Sequence, residues 1–392
     1  MSLFKNKQLD PYRFFFPISI LGGITGVSLW LLFWVAQTNT ISSFKNIYPL
    51  KLHITIMTVF FLLPVIKGFV FTAIPRFTGT SLLNQSELLI LTSIQLILIT
   101  ILLFYNDSLI FYTFQSIDFG FLFLFILHRF KISKLKLSSY LYFLTGGFFL
   151  GIIGSIAQLT SVYLNQYYLF LIGKDFIFYG MVPCIIFGTG TRIIPMIVNS
   201  ENPSKRMEWM ARAEGQKWNH LVLVIFILSY LIEFIAVFYL DLGILFKGLR
   251  FLICVYWIVT FFHILEIKSF QTKLPRLILV ACYLFIIGLA GHTFGFKYSA
   301  HLAHFYLAGG LTLLILGIMT RVTLSHGGAD MRIEKNSNVF YWIIAVILSA
   351  SIARSFAYIS METMTSHFAY AAILFTLGLL FWSVKIGRFI LK

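Results

Sequence analysis

The sequence is poor in charge. Charged residues make up 11% of its 392 positions, and the 14 Asp and Glu are fewer than half as many as the 30 Lys and Arg. A typical soluble domain is about 25% charged, so this composition excludes an ordinary soluble enzyme. Only three cysteines occur, all in apolar segments, where small packing residues are expected rather than a disulfide framework. One of them, Cys184, follows Pro183 and has metal ligation as an alternative interpretation.

Several functional motifs are also missing. The phosphate-binding pattern Gly-x-x-x-x-Gly-Lys-Ser/Thr is absent, and the longest loop, from about Ile193 to His220, is too short for a nucleotide-binding domain. No Ser-His-Asp or Cys-His constellation can be assembled without arbitrary choices. The net charge of +16 comes from basic residues spread over short loops, without the aromatic stripe or fold of a nucleic-acid-binding protein. The sequence therefore excludes an ATP-driven pump and predicts no nucleic-acid partner.

Apolar residues, in contrast, make up 59% of the chain and recur in runs of about twenty. A helix needs roughly 20 apolar residues to cross the hydrocarbon of a bilayer. We therefore predict an all-α polytopic membrane protein of about twelve transmembrane helices, with residues 1–392 forming a single integral membrane domain. The predicted spans are Phe14 to Ala36, Leu52 to Ile74, Leu88 to Tyr105, Leu109 to Leu127, Tyr140 to Leu164, Leu169 to Gly190, Leu221 to Leu240, Ile244 to Leu265, Leu277 to Phe296, Ala300 to Thr320, Val339 to Ile359 and Phe368 to Gly387.

The basic residues predict the orientation of these spans. Most of the 30 Lys and Arg lie near the termini or in the loops after even-numbered spans. Because basic loops stay on the cytoplasmic side, both termini are predicted to face the cytoplasm. The lipid bilayer, with its anionic headgroups, is then the expected partner of the basic loops.

With this topology, the nine histidines fall into two layers. The five at the outer ends of spans 2, 9, 10 and 12 are His53, His292, His301, His304 and His367, and the four at the cytoplasmic side are His128, His220, His263 and His326. A short connection between spans 9 and 10 makes those helices antiparallel neighbours, so His292, His301 and His304 are expected to lie close together. His53 and Met57 share a helix face in span 2, because they are four residues apart.

This outer layer predicts a metal or haem site. A histidine within the membrane is costly unless something binds it. Imidazole suits haem iron and copper, and a thioether suits copper or an axial haem position. We predict a haem, of b type, or a copper ion between His53 and His304, with Met57, His292 and His301 as additional or alternative ligands. Each histidine taken singly also has the plainer interpretation of a structural hydrogen-bond donor.

The cytoplasmic ends of spans 2, 6 and 10 share a pattern of glycine, threonine and arginine. The arginines are Arg76, Arg192 and Arg321, four spans apart each time. The repetition predicts three four-helix units around a pseudo-threefold axis. As a ring of cations the arginines could contact an anion or the haem propionates; as helix C-terminal charges they would only anchor the spans at the cytoplasmic interface.

Two further charges fall inside spans at the depth of the histidine layer. Arg354 in span 11 and Glu233 in span 7 are expected to form an ion pair, the alternative being that Arg354 meets a cofactor carboxylate. The segment from Met361 to His367 offers soft ligands for copper, although ordinary interfacial residues are the expected interpretation. The alternative function is a secondary transporter or permease without a redox cofactor. Its substrate site would lie at spans broken by Pro or Gly, such as those around Pro64 and Pro183, and at the charged pair Glu233 and Arg354.

The same segments resemble the NnrS family. The shared runs are His53-Ile-Thr-Ile-Met57, Gly68-Phe-Val-Phe-Thr-Ala-Ile-Pro75, Thr78-Gly79, Arg192-Ile-Ile-Pro-Met196, His304, and Gly317-Ile-Met-Thr-Arg-Val-Thr-Leu-Ser-His326. The resemblance extends from span 1 to the loop after span 10. It implies a twelve-helix protein of the bacterial inner membrane, associated with haem and copper and with resistance to nitric oxide, a small diatomic ligand.

Residue by residue, the resemblance carries over to His53, Met57, Arg192, Met196, His304, Arg321 and His326. The family's span 2 motif is His-Ala-His-Glu-Met, and here Thr55 and Ile56 replace its second His and its Glu. At most one complete metal site is therefore expected. The same ligands serve redox and binding roles, so the pattern does not decide whether the protein turns over a substrate. A remoter likeness to haem-copper oxidases is architectural only, because span 6 lacks a histidine.

Overall fold

The fold is entirely helical. The computed structural model describes residues 10–38, 48–105, 108–236 and 243–390, and every regular element in these ranges is a helix. Eleven of the helices are long and apolar enough to cross a membrane, and a twelfth, Asn219–Ile235, meets the surface helix Pro203–Glu214 at a 61° bend. The predicted polytopic helical membrane protein is therefore confirmed.

The spans follow the predicted order, and they number twelve if the helix pair with the 61° bend is counted as one span. Their bounds are Pro11–Thr38, Leu50–Thr78, Gln85–Phe104, Ser108–Lys131, Ser139–Tyr163, Tyr167–Val198, Asn219–Ile235, Gly243–Phe261, Lys273–Phe294, Phe296–His326, Val339–Ile359 and Met364–Phe389. Spans 2, 6 and 10 continue beyond their predicted ends, because hydropathy marks the apolar stretch and not the last helical residue. The predicted end of span 7 at Leu240 lies outside the described residues.

Local sequence signals set some of these helix ends. Span 3 begins at a capping box, in which the Asn84 side chain accepts from the Glu87 amide and the Glu87 carboxylate accepts from the Asn84 amide. Span 2 ends at Gly79, whose φ of 63° is the left-handed conformation that glycine adopts at helix C-termini without steric cost.

Spans 2, 6 and 10 form the centre of the bundle. The buried shares of their apolar windows are 89%, 78% and 72%, whereas the next most buried, span 5, reaches 67%. Helix contacts recur with a period of four spans. Span 1 packs on span 2, span 5 on span 6 and span 9 on span 10. In the same way, span 3 packs on span 4, span 7 on span 8 and span 11 on span 12. The ring closes through contacts of span 4 with 5, 8 with 9 and 12 with 1. This is the contact pattern expected of three four-helix units.

Each central span has a π-helical segment in its first half. Spans 2 and 6 are α-helical at both ends, whereas span 10 begins with the 3₁₀ turn Phe296–Tyr298 and ends as an α-helix. The π segments are Met57–Leu62, Phe176–Met181 and Phe305–Leu311, and a further one, Ile101–Tyr105, ends the third span's helix. Two of the central π segments are followed, after one residue, by Pro64 and Pro183. Proline has no amide hydrogen to donate, so it interrupts an α-helical ladder at these positions. π segments occur frequently at functional sites.

Candidate haem site

A cavity of about 430 Å³ lies where the three central spans begin. Its wall includes all three central π segments, together with parts of spans 1, 11 and 12. Most of the wall is apolar, and the predicted site residues that line it are His53, Met57, His304 and Arg354. We call this space the histidine cavity, and the end of the bundle that holds it the histidine end.

In each of the two cavity histidines, one ring nitrogen is hydrogen-bonded to a backbone carbonyl and the other is available to bind a ligand. Nδ1 of His53 lies 2.8 Å from the carbonyl oxygen of Gly26, and Nδ1 of His304 lies 2.8 Å from that of Ala300. A carbonyl can only accept, so each Nδ1 carries the proton and each Nε2 keeps its lone pair. Within the described ranges neither Nε2 has a hydrogen-bond partner in the protein. A backbone carbonyl on one nitrogen is the usual second partner of a metal-ligating histidine.

Met57 completes the span 2 side of the cavity. It begins the π segment one helical turn after His53. A Cβ atom placed on Gly26 would lie 2.6 Å from the Met57 sulfur, so this glycine makes room for the side chain. The ring of Trp30 covers His53 edge-on, with the centroids 5.5 Å apart. A thioether and an imidazole therefore face the same space in fixed positions.

Two cations contribute to the wall of the cavity, Arg354 from span 11 and Lys174 from span 6. The Arg354 guanidinium lies 4.2 Å from the centre of the Phe368 ring, and its Nη1 is 3.0 Å from Nδ1 of His301. Because arginine can only donate, Nδ1 of His301 is the acceptor. His301 does not line the cavity, although it is only three residues from His304.

The expected ion pair between Arg354 and Glu233 is wrong. Glu233 pairs instead with Arg250 of the neighbouring span 8. Both line a second, smaller cavity of about 80 Å³, together with Asp175 and His292. Hydropathy gives the depth of a charge in the membrane but not the side of its helix, and span 7 packs on span 8.

His292 is likewise separated from the other outer histidines. Its ring stacks on Tyr179 with centroids 3.8 Å apart and an interplanar angle of 5°. Tyr179 lines both cavities, whereas His292 lines only the smaller one. The expectation that His292, His301 and His304 form one cluster is therefore corrected: one aromatic ring stands between His292 and the histidine cavity.

Thr55 faces away from the histidine cavity. It lines a third cavity, between spans 1, 2, 3 and 4, and its hydroxyl is 3.1 Å from that of Tyr112. Ile56 is buried and lines neither space. The departure from the family motif at these two positions consequently leaves the lining of the histidine cavity intact.

The three predicted ring arginines lie at the opposite end of the central spans, which we call the arginine end. Arg76 is 3.4 Å from Asp10, Arg192 lies 4.4 Å over the Phe77 ring, and Arg321 is 2.8 Å from Glu334. None of them lines the histidine cavity. The structure brings Arg354, and not these arginines, to the two histidines.

The remaining predicted site residues are also outside the cavity lining. Met196 is half-buried at the arginine end of span 6, and the ring of His326 lies 5.9 Å from that of Tyr12 at the same end. His367 is half-buried in the first turn of span 12, and Met361 is 75% exposed. No residue from Met361 to His367 lines the histidine cavity.

Sequence reasoning missed Lys174 and Tyr179 as cavity residues. Lys174 lines the histidine cavity, and its neighbour Asp175 lines the smaller cavity. The two side chains form an ion pair of 2.9 Å. The available signal was an adjacent pair of opposite charges at the outer end of an otherwise apolar span, which is unusual enough to mark a function.

The donor set of the histidine cavity fits a haem. The two imidazoles are of the ligand type that haem iron takes, the apolar walls would suit a macrocycle, and the two cations would suit its carboxylates. The volume lies within the roughly 300–1,000 Å³ of cofactor pockets. Across the described part of the chain, no group of three or more His, Cys, Asp or Glu is arranged to hold a metal ion. All three cysteines are buried, and none lines the histidine cavity.

A family model described as NnrS protein matches residues 9–392, which is nearly the whole chain. No curated protein matches the sequence.

Proposed function

The chain belongs to the NnrS family, and from this membership and the histidine cavity we propose that it is a membrane haem protein of the response to nitric oxide. The observation that carries the proposal is the pair His53 and His304, with both Nδ1 atoms bonded to carbonyls and both Nε2 atoms left available on one cavity. The predicted b-type haem would be held by these two nitrogens, because histidine is a common protein ligand of haem iron.

The other polar residues of the cavity have supporting roles in this proposal. Arg354 and Lys174 would bind the haem carboxylates, because charge-assisted hydrogen bonds to carboxylates are strong in an apolar site. Met57 would be an alternative ligand for the haem iron or, with one histidine, a ligand for copper. The bound haem would supply an iron centre, at which nitric oxide, the diatomic ligand that family membership suggests, would have to replace one of the two histidines.

We place the protein in the inner membrane of a bacterium, with the histidine end extracytoplasmic and both termini cytoplasmic. The distribution of Lys and Arg supports this orientation, because basic residues prevail at the arginine end. Reporter fusions after Lys392 and at Asn165, in the turn between spans 5 and 6, should give opposite answers. The same answer from both would overturn the orientation.

Absorption spectra of the purified protein, oxidised and reduced, together with metal analysis, test the haem assignment. The wild type should carry about one haem with a six-coordinate spectrum. His53→Ala and His304→Ala should each give a five-coordinate spectrum or loss of haem. His220→Ala is the matched control, because His220 is exposed at the arginine end beside Tyr142.

Two outcomes would overturn the proposal. A colourless, metal-free wild type would remove the cofactor and leave the transporter alternative. Full retention of haem in both cavity variants, or equal loss in the His220→Ala control, would remove these histidines as the ligands.

A further inference from the structure

The prolines of spans 2 and 6 leave two main-chain carbonyls without an amide partner. In both π segments the amide after the segment bonds five residues back, Leu63 to Thr58 and Val182 to Ile177. The next residue in each case is proline, which cannot continue this register. The carbonyls five residues before Pro64 and Pro183 are those of Val59 and Phe178. An unpaired carbonyl inside a membrane bundle costs several kcal/mol, so a partner is required.

Two buried side chains from other helices supply that partner. Gln95 of span 3 donates from Nε2 to the Val59 carbonyl at 2.9 Å. Tyr306 of span 10 donates from its hydroxyl to the Phe178 carbonyl at 2.6 Å. Gln95 and Tyr306 are fully buried, so neither has water as an alternative acceptor. Both π segments are thus held from the side by a single hydrogen bond.

Gln95 is itself fixed by a buried charge. Its Oε1 accepts from the Lys67 ammonium at 2.9 Å, and Lys67 is 2.6 Å from the carboxylate of Asp118. Lys67 and Asp118 are both 0% exposed. The ion pair therefore orients the amide of Gln95, with its nitrogen directed to Val59.

We propose that Gln95 and Tyr306 are positioning residues of the histidine cavity. They act through the π segments, which contribute Met57, Phe61 and Leu62 from span 2, and Phe178 and Tyr179 from span 6, to the cavity wall. Neither residue lines the cavity itself. The effect of these residues on haem geometry rests on the proposed function. Their effect on the π segments is independent of it.

The first test removes the donor of Gln95. Gln95→Met keeps the volume of the side chain and leaves the Val59 carbonyl unpaired. Haem affinity should fall on the order of tenfold, as for other groups that orient ligands indirectly, and the electron paramagnetic resonance signal of the oxidised haem should broaden. Gln115→Met is the matched control, because Gln115 is equally buried and donates to Gln158 at 2.8 Å without contact to a π segment.

Tyr306→Phe provides a milder second test, since it deletes only one oxygen and is expected to fold. It should change the haem signal in the same way. Tyr112→Phe is its control: Tyr112 is also buried, its hydroxyl meets Thr55 instead of a π carbonyl, and it lines the third cavity.

Hydrogen exchange followed by mass spectrometry tests the π segments without reference to haem. Gln95→Met should accelerate exchange about tenfold in the peptide covering residues 57–64, and Tyr306→Phe in that covering 176–183, because each loses a buried hydrogen bond. Unchanged exchange in these peptides, or an equal change in the control variants, would overturn the proposal. If the wild type binds no haem, the proposed function fails and the exchange result alone decides the positioning role.

Discussion

His53 donates from Nδ1 to the carbonyl oxygen of Gly26 at 2.8 Å, although the two residues are 27 positions apart. The bond joins span 2 to span 1 beside the histidine cavity. The same glycine gives the Met57 side chain its room. One small residue of span 1 thereby sets both the tautomer of a predicted ligand and the space around its neighbour.

Gly26→Ala should consequently disturb the cavity. The added Cβ would lie 2.6 Å from the Met57 sulfur, and relief of such overpacking typically costs about 1–3 kcal/mol. We expect a lower melting temperature in detergent and a shifted haem spectrum. Gly120→Ala is the control, because a Cβ there has nothing within 4 Å and alanine favours a helix. Equal melting temperatures for the two variants would contradict this account.

Neighbouring histidines of span 10 should behave differently. His304 presents Nε2 to the histidine cavity, whereas Nδ1 of His301 accepts from Arg354 outside the lining. We expect His304→Ala to lose the six-coordinate haem spectrum and His301→Ala to keep it. Spectra of the two purified variants, recorded at equal protein concentration, distinguish these residues, and the reverse result would assign the ligand to His301.

Arginine variants test which end of the bundle binds the haem carboxylates. Arg354→Gln should weaken haem binding on the order of tenfold, because a half-buried cation on the cavity wall that can face a haem carboxylate is removed. Arg321→Gln, at the arginine end, should leave the affinity unchanged. Haem titration of the apoproteins measures both constants. A larger loss for Arg321→Gln would restore the arginine ring as the carboxylate site.

Because Lys67 and Asp118 form a buried ion pair, we expect the effects of substituting them on stability to be strongly coupled. Lys67→Met leaves the Asp118 carboxylate without its partner in the bundle, and breaking a buried ion pair typically costs about 3–5 kcal/mol. The double variant Lys67→Met with Asp118→Leu should recover much of that loss, because no unpaired charge remains. Melting temperatures of the two single variants and the double variant complete the cycle. Additive losses would show that the pair is not coupled.

His263, in the loop after span 8, predicts a pH dependence of stability. Burial lowers the pKa of His263 below its ordinary 6.5, and Glu266 at 3.1 Å offsets this only in part. Because the unfolded chain binds the proton more readily, stability is lost as the pH falls from 6.5 towards the folded-state pKa. In His263→Phe, which can still stack on Trp209, the melting temperature should fall less between about pH 7.5 and about pH 5.5. The exposed His220, changed to Phe, serves as the control, and an equal slope in His263→Phe and wild type would refute the prediction.

The sequence placed His53 and His304 at one depth of the membrane, and depth alone was sufficient to predict that they lie close together. His53 and His304 both lie before the π segments of their central spans, and both line the same cavity. The grouping of His292 with them failed for a different reason. A short connection makes spans 9 and 10 neighbours, but it does not say which side of span 9 faces the centre, and Tyr179 occupies the place between them.

Gln95 and Tyr306 could not be recognised from the sequence by the same reasoning. Hydropathy treats Gln95 as one polar residue in span 3, and Tyr306 as an ordinary aromatic. Their importance follows from carbonyls that become unpaired only if the chain before Pro64 and Pro183 is π-helical. The prolines were visible, but an α-helical kink and a π segment are both compatible with them.

The π segment of span 2 also changes how the span must be drawn on a helical wheel. A π segment accommodates one residue more than an α-helix, and each α-helical residue corresponds to about 100° of rotation. A wheel that treats Leu50–Thr78 as uninterrupted α-helix is therefore out of phase beyond Leu62, by about that angle. On such a wheel His53 can be placed correctly only if Lys67 is misplaced. The two halves of the span consequently require separate wheels, and a substitution scan designed on a single wheel would sample the wrong face of one half.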